Sequence, residues 1–211
     1  MTKKNILLTL SAIMLSSLFI LFTPKQAVAA ENSDFYVKKI DGSPAVEGVD
    51  YWHSPGPFEK LYLASDNLTV DMTGCKPVCL SLIIGPTCHN VIFKNLNING
   101  TNTPFNPYAF DFSAGNVKIK LVGNNVFSFT GGGLSYFGRN TCTFTGKGKL
   151  SLLTNAWGTP LISYDNGAKI IAGKILASYE NNAPEDKCTE MSFDQVSMGY
   201  NTCYIYGDGR R

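Results

Sequence analysis

Tyr108, Tyr136, Phe137, Trp157 and Tyr164 are the residues of this chain whose chemistry suits a sugar. An aromatic ring offers a flat apolar face to a pyranose, and neighbouring amides and carboxylates supply the hydrogen bonds that fix its orientation. Trp157 lies in the segment Asn155-Ala156-Trp157-Gly158-Thr159-Pro160, a setting that favours an exposed indole. Tyr136 and Tyr164 precede Gly146 and Gly173 by 10 and 9 residues. In a strand, a shift of one residue turns a side chain to the opposite face. The charges able to flank these rings are Asp66, Asp71, Asp111, Asp165 and the lone mid-chain arginine, Arg139. Asp111 and Asp165 occupy related places two repeats apart. No G-x-S-x-G, H-E-x-x-H or phosphate-loop motif is present. His53 and His89 read as structural or exposed.

Cys75, Cys79, Cys88, Cys142, Cys188 and Cys203 are a second set of reactive groups. An even number in an exported chain argues for disulfides, and six cysteines allow 15 pairings. Cys188–Cys203 is the local candidate, as a staple of the polar tail. A zinc reading has only two histidines to draw on, and Pro77 interrupts the C-x3-C spacing. Export itself is read from the start of the chain. Lys3 and Lys4 precede an apolar run from Ile6 to Phe22, and Ala27-Val28-Ala29 supplies a small-x-small cleavage pattern. Residues 1–29 are therefore expected to be a signal peptide, cleaved near Ala29, which places the product outside the cytoplasm, secreted or periplasmic. The mature form is expected to have no membrane span. With 18 Lys+Arg against 16 Asp+Glu, and Lys3, Lys4 and Lys25 inside the signal, the remainder is near neutral. Its only arginines are Arg139, Arg210 and Arg211, so no nucleic-acid footprint is expected.

The elements that position these residues repeat. Phe110-Asp111-Phe112, Val117 to Leu121, Gly123 and Val126 to Phe129 make one unit. Leu134-Ser135-Tyr136, Cys142-Thr143-Phe144, Gly146 and Leu150 to Leu152 make the next. Leu161-Ile162, Ile170-Ile171, Gly173 and Ile175 to Ala177 make a third. The first apolar residue of each lies 13, 12 and 12 residues before its glycine. The runs are short, rich in β-branched and aromatic residues, and alternate apolar with polar. Turns rich in Asn and Gly separate them. A fixed period of this kind marks a stacked repeat. The chain is expected to be all-β: a short right-handed parallel β-helix with three strands per coil and a cap at each end. A β-sandwich is the alternative. Residues 30–60 form the N-terminal cap, 61–178 the coils, and 179–211 a disulfide-stapled C-terminal cap. Phe35-Tyr36-Val37 and Cys203 to Tyr206 are expected as strands within the caps.

Three phrases add a resemblance. Asn116 to Asn125, Cys142 to Leu150 and Lys169 to Ile175 resemble, in order, the N-V-x-I-x-L-x-G-x-N, L-x-I-x-G-x-G-x-L and I-x-G-G-x-I phrases of β-helical carbohydrate-binding domains on secreted bacterial proteins. Ala172 replaces one glycine. The resemblance spans about residues 61–178 and implies a fold similar to pectate lyase. It also implies binding of acidic or cellulosic polysaccharide without established catalysis, and Ca2+ at some turns, for which Asp111 and Asp165 are the candidates. The expected function is non-catalytic binding of polysaccharide or another extracellular surface, with Tyr108, Tyr136, Trp157 and Tyr164 as ligand-binding residues. A degenerate polysaccharide lyase is one alternative and requires Arg139 beside two or more of the aspartates. An adhesive protein that binds a host or partner protein is another.

Overall fold

Alternation with period two, broken by tight turns, gives strands too short to bury a core unless they stack on their neighbours. That stacking is what the computed structural model shows. It describes residues 34–56, 59–101, 108–130, 134–154, 162–192 and 200–209. The architecture is a parallel β-solenoid of about four turns, as the repeat predicts. Strands β3 (Glu59–Leu63) and β4 (Leu68–Asp71) begin it. Then come β5 (Leu80–Ile84), β6 (Asn90–Lys94) and β7 (Asn97–Thr101), followed by β8 (Tyr108–Asp111), β9 (Val117–Val122) and β10 (Asn124–Thr130). Next are β11 (Leu134–Tyr136), β12 (Thr141–Thr145) and β13 (Lys149–Thr154), and finally β14 (Ile162–Ser163), β15 (Lys169–Ile171) and β16 (Lys174–Ser178).

Three six-stranded sheets result. Sheet A stacks β4, β6, β9, β12 and β15, and β1 (Tyr36–Lys39) closes it antiparallel to β4. Sheet B stacks β3, β5, β8, β11 and β14, closed by β2 (Tyr51–Ser54) antiparallel to β3. Sheet C carries β7, β10, β13 and β16, with β17 (Thr189–Glu190) on its outer edge. Among the described residues no helix is long and apolar enough to cross a membrane.

Alternate side chains point inward and form rows across the coils. Leu61, Leu82, Phe110, Ser135 and Ile162 are one such row in sheet B. Phenylalanines fill the axis. Phe110 stacks on Phe127 at 4.5 Å, and Phe112 stacks on Phe137 at 4.7 Å. Each fully buried ring contributes about 1.5–3 kcal/mol. Phe137 is thus a core residue, and its expected place among the sugar platforms is corrected.

The corner from sheet A to sheet C explains the repeated glycine. Gly123 and Gly146 have φ of 67° and 88°, a region that side chains with a Cβ avoid, and Asn95 fills the equivalent place with φ 52°. The asparagines serve mostly another purpose, because their amides join coils. Asn125 is fully buried. Its Oδ1 accepts from Leu96 N–H (3.0 Å), and its Nδ2 donates to the Lys149 and Val122 carbonyls (3.1 and 3.4 Å). Asn116 Oδ1 accepts from Thr141 N–H (2.7 Å), and Asn140 Nδ2 donates to Ser113 O (2.7 Å).

The last strand departs from the solenoid pattern. Strand β18 (Thr202–Tyr206) lies antiparallel between β13 and β16, so the final coil does not stack on the previous one in sheet C. Gly207 follows it into the glycine corner, where a Cβ would collide with the carbonyls of Thr145 and Gly146. A Cβ on Gly173 would lie 2.6 Å from Gly207 O. The tail folds back on the outer face of sheet C. Tyr204 Oη donates to Ala183 O (2.7 Å), and Lys149 pairs with Glu185.

This insertion, rather than a staple, holds the tail. All six cysteines are free thiols. Cys203 points into the solenoid core, whereas Cys188 packs with Tyr204 on the outside of the same sheet. The sheet separates the expected Cys188–Cys203 pair. Cys88, Cys142 and Cys203 are buried as small apolar side chains. Burial pushes the Cys88 and Cys203 thiols up to about 12 and Cys142 well above its usual value. Residues 1–29 and Trp157 lie outside the described residues.

Candidate functional site

The outward face of sheet B gathers the aromatic chemistry. Pairing in register sets Trp52 beside Tyr62, then Ile83, Asp111, Tyr136 and Ser163. Neighbours in this row are about 4.8 Å apart, so Trp52 and Tyr136 are separated by roughly 19 Å along the solenoid. Trp52 is 47% exposed and meets the Tyr62 ring edge-on at 5.8 Å. Tyr62 leans over the next coil because residue 85 is a glycine. A Cβ there would stand 2.5 Å from the Tyr62 hydroxyl and 2.7 Å from Leu63 O. At the other end of the row, Tyr136 Oη donates to Asp165 Oδ2 (2.9 Å), and Arg139 Nε lies 3.9 Å from the same oxygen. Asp111 Oδ1 accepts from Ser113 N–H (2.8 Å), which fixes the turn that follows β8.

Tyr136, Asp165 and Arg139 are therefore brought together at one end of sheet B, and Asp111 is the register partner of Tyr136 on the neighbouring strand. Tyr136 and Tyr164 are not equivalent. The register partner of Tyr136 is Ser163, and Tyr164 sits one residue further on, just past β14, 36% exposed. Tyr108 opens β8, and its side chain lies outside the described residues. Trp52 and Tyr62 were missed by the sequence reading. They lie in the cap and the incomplete first coil, where no repeat unit points to them. The signal available was the alternation Tyr51-Trp52-His53-Ser54.

The coil aspartates divide between two sheets. Asp66 precedes β4 and Asp71 ends it on sheet A, whereas Asp111 ends β8 on sheet B and Asp165 lies in the turn after β14. Arg139, with its side chain 78% exposed, pairs with Asp165 alone among the described residues. No group of three or more His, Cys, Asp or Glu side chains among them converges to hold a metal ion. Asp66 is occupied structurally. Its carboxylate accepts from His89 N–H (3.0 Å) and from the Asn90 backbone and side-chain amides. Partial burial raises its pKa, but these bonds outweigh that effect and hold it below the ordinary value. Asp71 behaves alike: partial burial is outweighed by Thr73 and by Lys94 Nζ at 2.9 Å.

Fold and site together define a β-solenoid with an aromatic outer row on one sheet. No family model matches the chain, and no curated protein or solved structure is significantly similar to it.

Proposed function

We propose that this is an exported, non-catalytic β-helix protein that binds polysaccharide along the outer face of sheet B. The observation that carries this reading is the row Trp52–Tyr62–Ile83–Asp111–Tyr136, with Asp165 and Arg139 at its end. A flat face with apolar rings at both ends and carboxylate and hydroxyl groups between them suits a linear glycan lying along the solenoid axis. The three-phrase resemblance to secreted carbohydrate-binding β-helices supports the same ligand class, and the apolar start of the chain supports export. Arg139 pairs with Asp165 alone among the described residues, so the lyase reading, which needs two aspartates beside it, gains no support. If Ca2+ takes part, Asp111 and Asp165 are its candidate ligands.

The test is retention of the purified protein on a broad glycan panel, with and without Ca2+, alongside Trp52→Ala, Trp157→Ala and Tyr136→Phe. Retention on at least one polysaccharide is expected. Trp52→Ala should cost about tenfold in affinity, equivalent to roughly 1.4 kcal/mol of lost stacking. Tyr136→Phe keeps a ring but loses the Asp165 bond, and should cost less. No retention on any glycan, or unchanged binding by Trp52→Ala, refutes the assignment. An adhesive role toward a protein then takes its place.

A further inference from the structure

The outer face of sheet A carries a charge pattern that the near-neutral composition conceals. Its outward positions include Lys38, Lys94, Lys118, Lys120 and Lys169. Asp71 is the one outward acid on these strands, and it is already paired with Lys94. Asp66, in the turn before β4, is held by the His89 and Asn90 amides. Among the described residues, no carboxylate lies within ion-pair distance of Lys38, Lys118, Lys120 or Lys169. Lys118 and Lys120 are exposed, alternate on one strand, and so project about 6.8 Å apart on the same side. Lys118 also lines two adjacent shallow depressions of about 330 and 400 Å3. The first is shared with Asn67, Asn90 and Lys120, and the second with Thr141 and Thr143.

We propose that this face is a second binding surface, independent of sheet B, for a linear phosphodiester polymer without bases: a polyol-phosphate or glycosyl-phosphate chain. Charge complementarity identifies an anionic occupant. The side chains narrow its chemistry. The cations on these strands are all lysines, which meet an anion as point charges, so the spacing of charge along the polymer decides the fit. Thr141 and Thr143 supply hydroxyl groups for non-bridging oxygens or polyol hydroxyls. Single-stranded nucleic acid would need aromatic platforms for its bases. The ring on this face, Tyr36, lies on the edge strand with Lys38 Nζ 5.6 Å above it. A chain with one charge per repeat of about 6–7 Å would meet Lys118 and Lys120 in succession.

The experiment measures binding of the purified protein to poly(glycerol phosphate), polygalacturonate and single-stranded DNA at 20 to 200 mM salt. The variants are Lys118→Gln with Lys120→Gln, Lys187→Gln as a charge control away from the face, and Trp52→Ala. Poly(glycerol phosphate) should bind best, with affinity falling as salt rises. The double variant should lose at least tenfold and show a salt slope shallower by about 1–2. Lys187→Gln and Trp52→Ala should leave this binding unchanged. Equal binding by the double variant overturns the proposal, as does tighter binding of DNA, or tighter binding of polygalacturonate that the double variant loses and Trp52→Ala keeps. Failure on every glycan of the panel, neutral and acidic, with retained phosphate binding refutes the sheet B reading alone.

Discussion

Asn125 is where a single side chain ties three coils together. Replacing it by alanine deletes the acceptor for Leu96 N–H and the donor to the Lys149 and Val122 carbonyls. Asn125 and Leu96 are both fully buried, so water does not readily replace the lost partners. An unsatisfied buried amide costs about 1–3 kcal/mol, and the weaker 3.4 Å bond adds little. Counting Leu96 N–H and Lys149 C=O as the two orphans, Asn125→Ala should lose about 2–6 kcal/mol. At roughly 2–4 °C per kcal/mol for a domain of this size, Tm falls by about 4–24 °C. Asn125→Asp adds a sign test. The variant keeps the acceptor but turns a carboxylate oxygen toward two carbonyls, and burial with that repulsion raises its pKa. The destabilisation is present at pH 7 and is relieved as pH falls toward about 4 and the group protonates. Urea unfolding of both variants at pH 7 and pH 5 reads this directly. If Asn125→Ala stays within about 0.5 kcal/mol of the parent protein, the bonds between coils contribute nothing net and the reasoning fails.

Thiol labelling should follow burial. Exposed Cys79 reacts with a maleimide in the native state, while Cys88, Cys142 and Cys203 react only after unfolding; rapid native labelling of Cys203 would contradict its inward placement. Asp66, Asp71 and Asp50 all titrate below their ordinary 3.8, so the stability they contribute is complete above that value and lost as pH falls below it; a Tm that is flat from pH 7 to 4.5 and declines below pH 3.8 is the expected profile. Gly207→Ala forces a methyl against the Thr145 and Gly146 carbonyls, costing at least about 1–3 kcal/mol, and should expose the last strand to limited proteolysis before the coils are cut.

Local chemistry made the coil body legible. Period-two alternation, the recurring glycine and the Asn-rich turns fix strand, turn and repeat length. The inward residues Val117, Ile119 and Leu121 could be read from their spacing alone. The glycine at the A-to-C corner was visible because its causes are local: a positive φ at Gly123 and Gly146. The second cause, close approach to Gly207 at the Gly173 corner, was not, since it depends on a strand far away in sequence.

The candidate site was half legible. Asp111, Tyr136 and Asp165 recur at related coil positions, and stacking brings them to one end of sheet B. Trp52 and Tyr62 join them only through the antiparallel pairing of β2 with β3, a contact that no repeat encodes. The cysteines misled for a related reason. An even count describes composition, whereas bonding needs both sulfurs on one side of a sheet, and Cys188 and Cys203 lie on opposite sides.

The stacked coils follow from local chemistry, because side-chain alternation and turn residues act over a few positions along the chain. The tertiary structure alone decided which strand fills the gap between β13 and β16, and which lysines share the face of sheet A. Both depend on register across coils some 25 residues apart, where hydrogen-bond pairing, not local propensity, chooses the neighbour.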